Sequence, residues 1–300
     1  MWTIVGKTCI VTGASSGIGL FTAIELVDRG AKRVILACRS LERGEKAVET
    51  IREHVGSKAN KCEIVVKQVD MGSMKSVRDF ANDINKNETQ LDVLINNAGI
   101  LQKDGNYQVT EDGFEITFAT NFLGAFLLTE LVLDLMKKST SSRVVMVSSQ
   151  AYQAAYPKGF AIDDINQEHY MSKHPFSYWR AYSQSKLAAV LMCRHWAKLH
   201  KPAGVSFFSL HPGEIRTSIT RHHGRFNFIN VWFALWGVDL EKGGAAVPIH
   251  CAIAPDIERH SGKYFGKNCK IQSVFKIAKD EAMAEELYKR STEWLKPFIN

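Results

Sequence analysis

Thr12-Gly13-Ala14-Ser15-Ser16-Gly17-Ile18-Gly19 decides the fold. The octet follows a short apolar run, residues 8–11, and opens an apolar stretch of helical length that stops at Gly30. A strand that breaks into glycines and restarts as a helix leaves free backbone N–H groups at the helix start, and these suit an anion. Gly13, Gly17 and Gly19 supply the small backbone that lets a pyrophosphate approach closely, while Ser15, Ser16 and Ile18 complete the turn.

Working outward, apolar runs of strand length alternate with longer amphipathic stretches. Strands are expected at 8–11, 34–38, 63–69, 91–95, 143–147 and 205–210, and helices at 17–30, 41–55, 73–85, 111–138, 178–200, 243–254 and 280–296. Near-continuously apolar strands separated by helices predict an α/β fold. The expected architecture is a doubly wound parallel sheet of about seven strands, Rossmann-type, with helices on both faces. No linker composition divides the chain, so residues 1–300 are read as one domain. Two connections, 150–177 and 217–239, exceed ordinary loop lengths and invite a functional reading.

Composition excludes several classes. Forty-five per cent of residues are hydrophobic and 23% charged, the balance of an ordinary folded protein. The net charge of +7 is spread without a dense Lys/Arg block, so no nucleic acid is expected as partner. The six cysteines form no Cys-x-x-Cys pair, and neither a metal site nor a disulfide framework is expected. Adjacent His222 and His223 diverge and make a poor ligand pair. Residues 1–6 are too short for a signal peptide or anchor, and no apolar run reaches the ~18 residues of a spanning helix. A cytoplasmic chain is expected, at most touching a membrane surface.

The second strand ends in Ala37-Cys38-Arg39-Ser40. An NAD site usually places an acid there for the ribose 2′-hydroxyl, and none is present. Arg39 offers a fork suited to a 2′-phosphate and Ser40 a further donor; Arg43, close by, reads as an ordinary surface arginine. NADP(H) is therefore the expected cofactor.

Tyr182 and Lys186 stand four residues apart on a predicted helix and share a face. Carbonyl reduction needs a proton donor that becomes a base in reverse. A free tyrosine, with a pKa of about 10, is too weak an acid near neutrality, and a neighbouring ammonium lowers it. The apolar run 143–147 ends in Ser148-Ser149, where a hydroxyl could polarise a substrate oxygen. Asn121 falls mid-helix, where propensity disfavours it.

Taken together, the Gly-x-x-x-Gly-x-Gly spacing after Thr12, the Asn96-Asn97-Ala98-Gly99 run and Tyr182-x-x-x-Lys186 resemble the short-chain dehydrogenase/reductase family, in its single-domain branch. Ala37-Cys38-Arg39, the Asn-Asn-Ala-Gly-Ile run and His211-Pro212-Gly213 are most similar to the retinol dehydrogenase group. The resemblance implies a catalytic tetrad of Asn121, Ser149, Tyr182 and Lys186, with Asn121 holding a relay water. It implies that Asp70 contacts the adenine amino group and that Asn97, Ala98 and Gly99 lie along the adenosine ribose. Lys186 would also hold the nicotinamide ribose, Pro212-Gly213 would pass the nicotinamide, and Thr217 would bond its carboxamide, with His211 a packed turn residue.

The implied substrate is an apolar carbonyl or alcohol such as a retinoid or lipid aldehyde. A steroid or small-carbonyl reductase is the alternative within enzymes, and a non-catalytic NADP(H)-binding sensor the alternative outside them. The aromatic run 226–236, inside an expected substrate lid at about 217–240, reads as a greasy pocket, a membrane-touching flap or a helix packed on the body. The helices carrying Asn121 and Tyr182 have apolar faces compatible with a homodimer, or with burial inside one chain. Two departures from the family pattern stand out: Ser149 and Tyr182 are 33 positions apart, and residues 14–16 lack a basic side chain.

Overall fold

In a computed structural model, described for residues 2–102, 106–155, 159–213 and 243–299, eight strands form one sheet in the order β3-β2-β1-β4-β5-β6-β7-β8. They are β1 (Thr8–Thr12), β2 (Arg33–Cys38), β3 (Glu63–Gln68), β4 (Val93–Asn96), β5 (Ser142–Val147), β6 (Val205–Leu210), β7 (Tyr264–Phe265) and β8 (Ile271–Gln272). The first seven run parallel. The eighth returns antiparallel along β7, a short edge that the sequence reading did not include because two residues carry no periodicity.

Residues alternate between two apolar layers. Ile10, Ile35, Leu94 and Val144 pack under α3 (Met74–Asn87), α4 (Ile116–Lys137), α5 (Tyr178–Leu199) and α7 (Glu281–Ile299). Their neighbours Cys9, Val11, Val34, Val93 and Val145 pack on the opposite face, under α1 (Gly17–Asp28), α2 (Leu41–Val55) and α6 (Ala246–Ile253). Strands buried on both faces explain the unbroken apolar runs. The order reverses between β1 and β4, and the crevice outside the carboxyl ends of these strands is where such sheets bind ligands.

The C-terminal helix packs against apolar side chains of α4 and α5. Tyr288 of α7 lies 5.7 Å from the Phe126 ring and 5.0 Å from His195. Trp294 closes over Phe118 and Phe114. Beneath them Trp196 is fully buried, stacked on Phe126 at 5.4 Å, and its indole N–H donates to Glu130 at 2.6 Å. The helix Ile116–Lys137 is long and apolar enough to cross a membrane, yet 78% of its most apolar window is buried inside the protein.

The opposite end of the sheet is fastened by charge. Asp92 accepts from Lys7 at 2.9 Å, from the Thr8 N–H at 2.9 Å and from the Ser139 hydroxyl at 2.5 Å. Burial opposes ionisation of this carboxyl, but those donors outweigh it and hold its pKa below the usual value.

Candidate active site

The glycine turn is built as its composition requires. Gly13 and Gly17 adopt left-handed φ angles of +67° and +58°. A side chain on Gly19 would put its Cβ 2.5 Å from both the Gly13 carbonyl and the Asn97 amide. Thr12 ties the turn to the end of β4: its hydroxyl accepts from the Asn97 and Ala98 N–H groups, both at 3.0 Å, and its carbonyl accepts from the Asn97 side chain at 2.9 Å. Ala98 in turn sits 3.0 Å from where a Gly13 Cβ would lie. At the start of α1, Ser16 makes no side-chain cap bond, which leaves the helix N–H groups to a ligand. Ser15, Ser16 and Ile18 are half-buried around it.

Beyond β2, Arg39 is exposed and its carbonyl accepts from Gln68 at 3.1 Å. Arg39, Gln68 and Asp70 line one cleft of about 620 Å³ at the carboxyl end of β3. Asp70 also caps its own loop, accepting from the Gly72 N–H at 2.9 Å. Ser40 caps α2 by accepting from the Arg43 N–H at 3.3 Å, so its hydroxyl has a structural duty as well. Arg43 was missed by reading along the chain. Its guanidinium crosses to Ser16 at 3.3 Å and thereby brings into the glycine turn the positive charge that residues 14–16 lack. Only the fold brings the first turn of α2 beside the first turn of α1.

The four remaining site residues converge at the carboxyl edge of β5. Ser149 stands close enough to the Tyr182 phenol to favour its ionised form. Ser148 turns away, is buried, and donates to the Lys186 carbonyl at 2.8 Å, so the two serines divide between site and scaffold. Lys186 donates to the Val147 carbonyl at 2.9 Å, and its ammonium stands 5.5 Å from the Tyr182 ring centre. Asn121 lies in a π-helical turn, Ala119–Leu123, within α4. Its carboxamide accepts from the Ile100 N–H at 2.7 Å and donates to the Ile100 carbonyl at 2.9 Å and to Ser185 at 3.1 Å. A wide turn at a disfavoured residue is a common mark of a functional helix. Gly99 fits between them: a Cβ there would lie 3.3 Å from Asn121 and 3.4 Å from Lys186.

Burial governs the electrostatics. It pushes the Tyr182 phenol above its ordinary value, and Ser149 offsets part of that. The Lys186 amine is lowered to about 8 by burial. His211 is likewise lowered by burial, to about 4, and is a packed, neutral residue whose backbone N–H donates to the Phe265 carbonyl at 2.9 Å. Gly213 follows with φ +102°, and Pro212 is buried beside it. Thr217 and the lid at 217–240 lie outside the described residues. Among the described residues no cluster of His, Cys, Asp or Glu could hold a metal ion.

The long connection before Tyr182 is folded against α5. Gln184 accepts from the Ala161 N–H at 2.9 Å and donates to the Gly159 carbonyl at 3.0 Å. Gln167, in a left-handed conformation at φ 59°, donates to the carbonyl of the N-cap residue Ser177 at 3.0 Å.

A doubly wound sheet with this glycine turn and this Ser-Tyr-Lys arrangement defines a nicotinamide dinucleotide oxidoreductase. The family described as short chain dehydrogenase matches residues 7–161, and the chain belongs to it. Retinol dehydrogenase 14 of Mus musculus is 40% identical over 296 residues, covering 94% of this chain and 84% of the relative. Retinol dehydrogenase 12 of Homo sapiens is 39% identical over 290 residues, covering 97% and 86%. Among solved structures, the NADPH-bound carbonyl reductase from chicken fatty liver superposes with a TM-score of 0.64 at 20% identity over 90% of this chain and all of its own, a likeness of fold. A short chain dehydrogenase from Burkholderia cenocepacia in complex with NADP gives 0.67 at 21% identity over 88% of this chain and 96% of its own.

Proposed function

We propose that this chain transfers a hydride between NADP(H) and an apolar carbonyl or alcohol, such as a retinoid or lipid aldehyde, with Tyr182 as acid and base. The observation that carries the reading is the meeting of Ser149, Tyr182, Lys186 and Asn121 at one strand edge. A dinucleotide fits the chain's own cradle, because Gly13 and Gly19 let the turn fold tightly against Ala98 and Asn97 while the space beside Gly17 is open.

When bound, the nicotinamide supplies or accepts the hydride. Ser149 holds the substrate oxygen, and Tyr182 gives it a proton on reduction and takes one on oxidation. Lys186 in its charged form stabilises the phenolate. Asn121 holds the water through which Lys186 is re-protonated. Arg39 and Arg43 take the 2′-phosphate, a role supported by the absent acid at the end of β2 and by the Arg43–Ser16 contact. The likeness to retinol dehydrogenases supports the apolar substrate.

Cofactor consumption with all-trans-retinal tests the reading. Turnover is expected with NADPH and only weakly with NADH. Equal rates with both would overturn the cofactor assignment, and NADPH binding without turnover of apolar aldehydes would overturn the substrate class.

A further inference from the structure

Trp179 is the large aromatic closest in sequence to Tyr182, three residues earlier on α5. The two rings stack with centroids 5.9 Å apart and planes 27° from parallel. Tyr182 is largely enclosed, whereas Trp179 remains 47% exposed. Most other large apolar side chains of α5 are buried, among them Leu187, Leu191, Met192 and Trp196. An exposed indole stacked beside the Tyr182 ring is a poor use of a core residue and a good use of a contact surface.

Its position is fixed rather than incidental. Ser177 caps α5 by accepting from the Arg180 N–H at 3.2 Å, and Gln167 grips Ser177 from the long connection. That connection therefore decides where α5 starts and where the indole stands. Any carbonyl that reaches both Ser149 and Tyr182 must leave its body outside them, and Trp179 borders the phenol on the helix's first turn.

We infer that Trp179 forms one wall of the substrate entrance and selects carbonyls with an extended, flat, apolar body. This inference rests on the proposed function, since it presumes that Tyr182 serves a carbonyl substrate. The test compares the full-length wild type, Trp179→Ala and Trp179→Phe in NADPH-dependent reduction of all-trans-retinal and of propanal, with NADPH dissociation constants measured in parallel.

Trp179→Ala is expected to lose about tenfold in kcat/KM for retinal, carried by KM, the scale of a lost apolar pocket contact. Its propanal kinetics and NADPH affinity should stay within twofold, and Trp179→Phe should keep most of the retinal activity. An equal loss for both aldehydes would overturn the inference and reduce Trp179 to a support for Tyr182. No loss for either would overturn it as well. A wild type that turns over neither aldehyde would instead overturn the proposed function, and the inference with it.

Discussion

Replacing Gly19 by alanine should damage the fold and the cofactor site together. The new methyl would lie 2.5 Å from the Gly13 carbonyl oxygen and 2.5 Å from the Asn97 amide nitrogen. Ordinary contact needs about 3.5 Å, so the overlap is about 1 Å on two sides at once. Neither neighbour can retreat freely. Gly13 is held by its N–H to the Ala37 carbonyl at 2.8 Å, and Asn97 donates to the Thr12 carbonyl at 2.9 Å. Overpacking of this kind costs about 1–3 kcal/mol. Giving up the Asn97 bond leaves a buried carbonyl unpaired for about 1–3 kcal/mol more.

A total of about 2–6 kcal/mol corresponds to a fall in Tm of about 3–10 °C for a chain of this size. Because the strain falls on the turn that carries the N–H donors, NADPH affinity should drop at least tenfold. Gly113→Ala is the control: its φ of +85° is also strained, but nothing lies within 4 Å of the added Cβ and it stands away from the turn. Thermal unfolding and NADPH fluorescence titration read both effects. A Gly19→Ala protein with unchanged Tm and unchanged NADPH affinity would refute the reasoning.

Other outcomes follow from the same geometry. Arg39→Ala and Arg43→Ala should each weaken NADPH binding roughly 10-fold or more and leave NADH within twofold, by fluorescence titration, since a charge-assisted bond to phosphate contributes about 1.5–3 kcal/mol. Lys186, lowered to about 8 by burial, is charged below that pH and loses its charge above it, so kcat/KM for reduction should fall on an alkaline limb near pH 8. Glu130 is raised above the usual carboxyl value, chiefly by burial, and its bonds from Trp196 and Tyr288 offset only part of that. The folded chain then holds a proton there that the unfolded chain has lost, so this group's contribution to stability falls as pH rises through that window. Glu130→Gln should flatten that part of the stability profile in urea titrations.

Local chemistry was legible in the sequence wherever a rule of spacing or propensity applied. The run 41–55 appears as the helix Leu41–Val55 because Ser40 caps it and its apolar residues face one way. Asn121 stood out as an unsuitable helix residue, and the backbone answers with a π-helical turn. Partnerships made across the fold were not legible. Arg43 looked like any surface arginine until α2 folded beside α1, and the contact of α7 with α4 and α5 carries no mark in the spacing. The two-residue strands β7 and β8 exist through pairing rather than through any pattern of their own. The 33-residue spacing from Ser149 to Tyr182 gave no hint that it would clamp the start of α5.

The measurement that bears most directly on the account is single-turnover hydride transfer from NADPH to all-trans-retinal in the wild type and in Tyr182→Phe, with NADPH affinity recorded for both. The account predicts equal NADPH affinity and a rate at least roughly a hundredfold lower in the variant, the usual contribution of a positioned general acid. A variant that transfers hydride at the wild-type rate would contradict it and move the proton to another group.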